Sequence, residues 1–343
     1  MRTAFFEPGK GFYIKEEQGR GLDPNEVRLK VEACGVCGSD RQVVHGESLP
    51  YGAHFPLVMG HEIAGTVSEI GEAVGDWKIG DDVIVHPFNN CGSCSACLNG
   101  LSNLCSRQRC VGFHQPGGYS EEVVVLDRQL VQRTKKVHPV EAAILTDAYA
   151  TPFHALQDAG VTSGSTLLVI GTGGLGLASL QLAKALEVSL LGSVTRREEG
   201  MAMASKFGAQ AAFSMKEGLR AVSRNIRRSG GSRGFDCVLD TVGTDDTLKL
   251  ALDSVRIGGT VSVIGMSEAS AVIPIAKQVR RGITIKFSYG SIIQDLKRVV
   301  ALTEEGKLKP KELIAGTLAL TQIDSAFSET RSSGRWVVLP QST

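Results

Sequence analysis

The sequence lacks any apolar run approaching the roughly 20 residues a membrane-spanning helix needs. Its opening, MRTAFFEPGKGFYIKEE, meets a charge every few residues and offers no signal-peptide core. The expectation is a cytoplasmic protein. A dominant charge is missing too, since 37 Lys and Arg stand against 36 Asp and Glu. Aromatic residues make up only 6% and no basic stretch interleaves with them, so electrostatics give no reason to expect a nucleic-acid or membrane partner. A small molecule is the expected partner. Proline is scarce, 11 residues against 40 glycines, a balance suited to tight strand-to-helix turns.

At 343 residues the chain is too long for one ordinary core, and two domains are expected. From Val27 to about Val125 it runs as short β-rich pieces broken by glycine, such as VRLKVEACG and GDDVIVHP. From about Thr151 helix and strand patterns alternate, the signature of a parallel sheet covered by helices. After Tyr289 come the amphipathic DLKRVVALTEEG and the strand-like LAL and WVVLP, which return to the first domain. The fold class is α/β, with a β-rich domain at 1–150 and 290–343 and a doubly wound parallel-sheet domain at 151–289.

Eight cysteines in a reducing compartment call for ligand or reactive roles before disulfides. CGSCSACLNGLSNLC places four of them at Cys91, Cys94, Cys97 and Cys105. Four thiolates this close can wrap a tetrahedral zinc with no open position, a structural site. Unrelated core thiols fit poorly in a loop rich in Asn, Ser and Gly. An iron–sulfur cluster is disfavoured because the last gap is seven residues and Ser106 stands where a proline would follow.

A second constellation begins with Cys37 in CGVCGSD and continues with His61 and Glu62 in GHEIAG and Asp147 in LTDAYATPFHAL. Thiolate, imidazole and carboxylate together are the ligand mixture of a catalytic zinc that keeps one position open. Singly, Cys37 reads equally as a buried thiol, His61 as a core histidine and Asp147 as a helix N-terminal carboxylate. Their joint occurrence favours a metal.

With CGVCGSD, GHEIAGTVSEIGEAVGDWKIGDDVIV, the cysteine loop and GTGGLG in order, the chain resembles the zinc-containing medium-chain alcohol dehydrogenases along nearly its whole length. The resemblance implies a GroES-like catalytic domain and a Rossmann domain. It implies two zinc ions per chain, one catalytic and one structural, and a homodimer or homotetramer. It makes Cys37 and His61 catalytic zinc ligands, Glu62 a neighbouring or exchanging ligand, and Ser39 the hydroxyl that bonds the substrate oxygen. Asp40 then orients His61, and Asp147 is the third ligand. Gln42 stands where many relatives have a proton-relay histidine; either His45 takes over, or the relay runs from Ser39 through the cofactor ribose and water. Cys34, Cys110 and Cys237 match no ligand position and read as packed thiols.

GTGGLG follows the apolar TLLVI and opens LASLQLAKAL, so Gly171, Gly173, Gly174, Leu175 and Gly176 form a strand–turn–helix dinucleotide fingerprint. The carboxylate that would bond a ribose 2'-hydroxyl at the end of the next strand is absent: Thr195, Arg196 and Arg197 stand there. A hydroxyl followed by guanidinium groups suits a 2'-phosphate, so NADP is expected over NAD, the alternative being that Glu198 reaches the ribose. The expected function is reversible oxidation of an alcohol to an aldehyde or ketone by hydride transfer. Reduction of an activated carbon–carbon double bond and a non-catalytic dinucleotide-binding zinc protein are the alternatives.

Overall fold

β-Branched side chains suit a pleated, half-buried surface, and along Glu122–Leu126 Val123 and Val125 are buried while their neighbours are partly exposed. A computed structural model describes residues 1–217, 224–225, 234–267, 270–328 and 334–342 of the chain. They divide into two units, Met1–Ala150 with Ile292–Thr343, and Thr151–Ser291.

The first unit is built on a sheet ordered Ile314–Ala319, Arg335–Leu339, Glu26–Gly35, Glu62–Ile70, Asp82–Val85 and Leu130–Gln132, with Glu122–Leu126 also paired to Glu26–Gly35. Strand Arg335–Leu339 lies antiparallel to Glu26–Gly35, Val337 opposite Gly35. That pairing brings the end of the sequence to the segment just before Cys37. One apolar core, including Leu29, Val31, Ile63, Val67, Val83 and Tyr119, fills this unit.

In the second unit six parallel strands run in the order Ala211–Ser214, Leu190–Thr195, Thr166–Ile170, Phe235–Asp240, Val255–Val263 and Thr284–Phe287. The order reverses direction at Thr166–Ile170, and in open parallel sheets the crevice at such a reversal, outside the carboxyl ends of the strands, takes the ligand. Helix Gly174–Ala185 starts just beyond that end.

Asp147 departs from its plain reading as a helix N-terminal carboxylate. It lies in a π-helical turn, Leu145–Tyr149, that runs directly into helix Ala150–Asp158. A π turn carries an extra residue and re-aims side chains, a device frequent at functional sites. Cys34, Cys110 and Cys237 are buried, and burial pushes the last two thiols up to about 12, as packed thiols should behave. Among the described residues no helix is long and apolar enough to cross a membrane.

Candidate metal centres and dinucleotide turn

Cys37 has extended backbone and precedes helix Gly38–Val44 as its N-cap. Its N–H donates to Asp40 Oδ2 at 2.9 Å, which ties the first helical turn to the residue carrying the thiol. Ser39 is half-buried in that turn, while His45 is exposed at the helix C-cap. Six residue steps of helix place His45 about 9 Å along the axis from Ser39.

Cys37, His61, Glu62 and Asp147 converge from three places in the sequence, and one ligand atom from each lies within 4.8 Å of the others. Cys37 Sγ is 3.0 Å from Asp147 Oδ2. His61, Glu62 and Cys37 are buried. Neither Glu62 oxygen finds a hydrogen-bond partner. Buried polar atoms left this way are costly, and a cation at the centre of the group would satisfy them. The donor set of sulfur, nitrogen and oxygen suits zinc.

Electrostatics support that fit. Burial pushes the Glu62 carboxyl up to about 8 against the opposing pull of Arg335. Burial would lower the His61 imidazole, but the Asp40 carboxylate, whose Oδ1 lies 3.5 Å from His61 Nδ1, overrides it and holds the ring well above the ordinary histidine value. Both groups therefore bind protons more tightly folded than unfolded, so their contribution to stability is present at low pH and lost as pH rises. Metal-free protein, held in chelator, is expected to show a falling thermal midpoint as pH climbs from 4.5 through about 8. A midpoint that climbs over that range would contradict the assignment. Zinc uptake, which needs deprotonated ligands, should release protons.

Cys91, Cys94, Cys97 and Cys105 also cluster. Cys91 and Cys97 sulfurs are 4.0 Å apart, Cys94 and Cys105 sulfurs 3.9 Å. A tetrahedron with Zn–S of about 2.3 Å has an edge of about 3.8 Å, so the spacing fits a closed zinc site. Backbone N–H groups of Cys91 and Arg107 donate to Cys105 Sγ at 3.3 and 3.4 Å, and Cys94 N–H to Cys91 Sγ at 3.3 Å. Donation from the backbone of Ser93 and Cys94 draws Cys91 down to about 5, whereas desolvation and the neighbouring sulfurs drive Cys97 up to about 12. Without a metal, then, the cluster cannot carry charge on all its sulfurs.

In the second unit the GTGGLG turn needs its glycines. Gly171 has φ +103°, and a Cβ there would meet Thr241 Oγ1 and lie 2.8 Å from Val242. A Cβ on Gly176 would strike the Gly171 carbonyl, so the helix could not start so close to the strand. Gly173 faces open space and caps helix Gly174–Ala185, with Leu175 in its first turn. Such an N-terminus favours phosphate. Thr195 is buried at the end of its strand, its hydroxyl 2.7 Å from that of Thr172 and accepting the Arg197 N–H at 3.3 Å. It thus fastens one turn to the next, while Arg196 and Arg197 are exposed. Glu198 is exposed as well and pairs with Lys216 at 3.5 Å.

Three contributors escape a reading of the sequence. Arg335, buried, approaches Glu62 Oε1 at 3.2 Å and Asp147 Oδ2 at 3.4 Å and donates to the Val36 carbonyl at 3.2 Å. Tyr119 donates to Asp40 Oδ2 at 2.9 Å. Gly200 leaves the space beside the Thr172–Thr195 pair, since a Cβ there would meet both hydroxyls. The one hint in the sequence is that WVVLP, next to Arg335, returns as a strand to the first domain.

Two family models match: "Alcohol dehydrogenase GroES-like domain" over residues 23–135 and "Zinc-binding dehydrogenase" over 174–305. An alcohol dehydrogenase of Geobacillus stearothermophilus is 32% identical over 93% of this chain and 91% of its own. An NAD-dependent alcohol dehydrogenase of Saccharolobus solfataricus is 31% identical over 92% of each. A crystal structure from Sinorhizobium meliloti, bound to NADP, superposes with a TM-score of 0.90 at 26% identity over 99% of both chains.

Proposed function

The chain belongs to the zinc-containing medium-chain alcohol dehydrogenase family, and on that premise we propose that it interconverts an alcohol with an aldehyde or ketone at a zinc held by Cys37, His61 and Asp147. Glu62 is the exchanging ligand, NADP(H) the hydride carrier, and Cys91, Cys94, Cys97 and Cys105 hold a second, structural zinc. The observation that carries this reading is the buried convergence of thiol, imidazole and two carboxylates. A zinc ion there supplies Lewis acidity that favours the deprotonated alcohol, and the nicotinamide supplies the hydride acceptor.

The chain's own residues do the rest. Ser39, two positions past Cys37 in the same helical turn, accepts the alcohol proton and passes its own onward. His45 is too far along the helix to take that proton directly, so the relay crosses water or a cofactor hydroxyl first. Asp40 faces His61 Nδ1 and so leaves Nε2 for the metal. Arg335 offsets the repulsion between Glu62 and Asp147. A panel of alcohols and ketones run with both cofactors on zinc-replete protein tests the reading, and metal analysis should find about two zinc ions per chain. One zinc, with no alcohol turned over, would instead favour reduction of a carbon–carbon double bond.

On cofactor choice the relatives point both ways: one is named for NAD, another structure holds NADP. The residues favour NADP. Thr195 is occupied by Thr172, so the selective contacts fall to Arg196 and Arg197. Charge-assisted hydrogen bonds contribute about 1.5–3 kcal/mol each. Replacing both arginines with alanine should therefore raise KM for NADP about 10²- to 10⁴-fold and leave that for NAD nearly unchanged. Parallel titration of the parent and the double variant checks this; a parent that prefers NAD overturns it.

A further inference from the structure

We propose that Tyr119 is a positioning residue for the catalytic metal, its hydroxyl holding Asp40 so that a single carboxylate oxygen faces His61. The inference rests on the reading of Cys37, His61 and Asp147 as zinc ligands. Asp40 Oδ2 receives two donors, the Cys37 N–H and the Tyr119 hydroxyl, each at 2.9 Å. Only Oδ1 remains for His61 Nδ1, and neither of those two atoms has another hydrogen-bond partner. Rotating the carboxylate would break both bonds to Oδ2. One side chain therefore sets the backbone of one ligand and the ring of another.

Bulk water does not reach this bond, because Tyr119 and Asp40 are both 0% exposed. Burial and the adjacent carboxylate hold the phenol well above the ordinary tyrosine range, so it stays a donor. The same residue braces the chain that delivers His61. Its N–H donates to the Met59 carbonyl at 3.0 Å, and the Gly118 N–H to the Gly60 carbonyl at 2.7 Å. Gly60 has φ +91°, and a Cβ there would sit 2.7 Å from the Tyr119 ring. The ring thus lies directly on the backbone one residue before His61. A phenylalanine would fill this space equally well, whereas the buried hydroxyl is a cost unless its bond to Asp40 matters.

The test follows zinc leaving the holoenzyme of Tyr119→Phe into a chromogenic chelator, with the four-cysteine zinc as an internal measure of intact folding. The catalytic zinc should be held about 10- to 100-fold more weakly, the range for partners behind a ligand, while the structural zinc leaves as in the parent. Parent-like retention of the catalytic zinc overturns the role. Asp40→Asn, alone and combined with Tyr119→Phe, supplies a second measure: the double variant should be no weaker than Asp40→Asn, and additive losses would show that the two do not act through one another. Cys37→Ser separates the two levels of the argument. If it still holds two zinc ions per chain the ligand reading fails, and if it holds one while Tyr119→Phe is parent-like, only the Tyr119 role fails.

Discussion

Serine in place of Cys37 is expected to lower kcat about 10³- to 10⁴-fold while dinucleotide affinity stays within about twofold. A Lewis-acid metal contributes several kcal/mol of transition-state stabilisation, and each 1.4 kcal/mol or so is tenfold in rate. Serine keeps the shape of the side chain but is a poor zinc ligand at neutral pH, so the loss falls on the metal and not on the fold. The thiol lies 3.0 Å from Asp147 and belongs to the first unit. The dinucleotide turn at Gly171–Gly176 belongs to the second, and its glycine contacts stay within that unit. Stopped-flow turnover, metal analysis and fluorescence titration of cofactor on one preparation would measure all three quantities. Full turnover in a folded variant would falsify the ligand assignment.

Arg335→Met is expected to cost about 3–5 kcal/mol of stability, the usual penalty for breaking a buried ion pair from one side. Arg335 is 5% exposed and answers two carboxylates, one of them fully buried. Methionine fills much of the volume but leaves Glu62 and Asp147 without their cation. A bound zinc carries two positive charges beside the same carboxylates and should take over part of the work. The deficit is therefore expected to be larger in chelator than in zinc-loaded protein. Denaturant midpoints of parent and variant in both states measure it; an equal deficit in the two states would mean that metal and guanidinium do not share these carboxylates.

How far the site could be read from the sequence depends on how each residue reaches it. The four-cysteine loop is local, with every ligand inside fifteen residues, so spacing alone suggests a closed site. The dinucleotide turn is legible for the same reason, a strand, glycines and a helix in immediate succession. Asp147 is harder, because its aim comes from a π turn that leaves no periodic trace. Arg335 is out of reach. It lies 188 residues from Asp147 and arrives through the register of one strand on another, which no local pattern encodes. Tyr119 reads as one more core aromatic, and its hydroxyl acquires meaning only beside Asp40. Thr195 shows a related gap: a hydroxyl at the right position in the sequence is turned inward by Thr172. The fold itself was legible because alternating helix and strand patterns, and short valine-rich pieces, report on burial that is locally periodic.

The pairing of Arg335–Leu339 with Glu26–Gly35 has a consequence for synthesis. Cys37, His61, Glu62 and Asp147 all precede the second unit in the sequence, and Arg335 follows it. Domains generally fold as units in the order they are made. The proposed ligands are therefore made before the guanidinium that lies beside two of them, and the buried charges of the centre are balanced only once the last strand has docked.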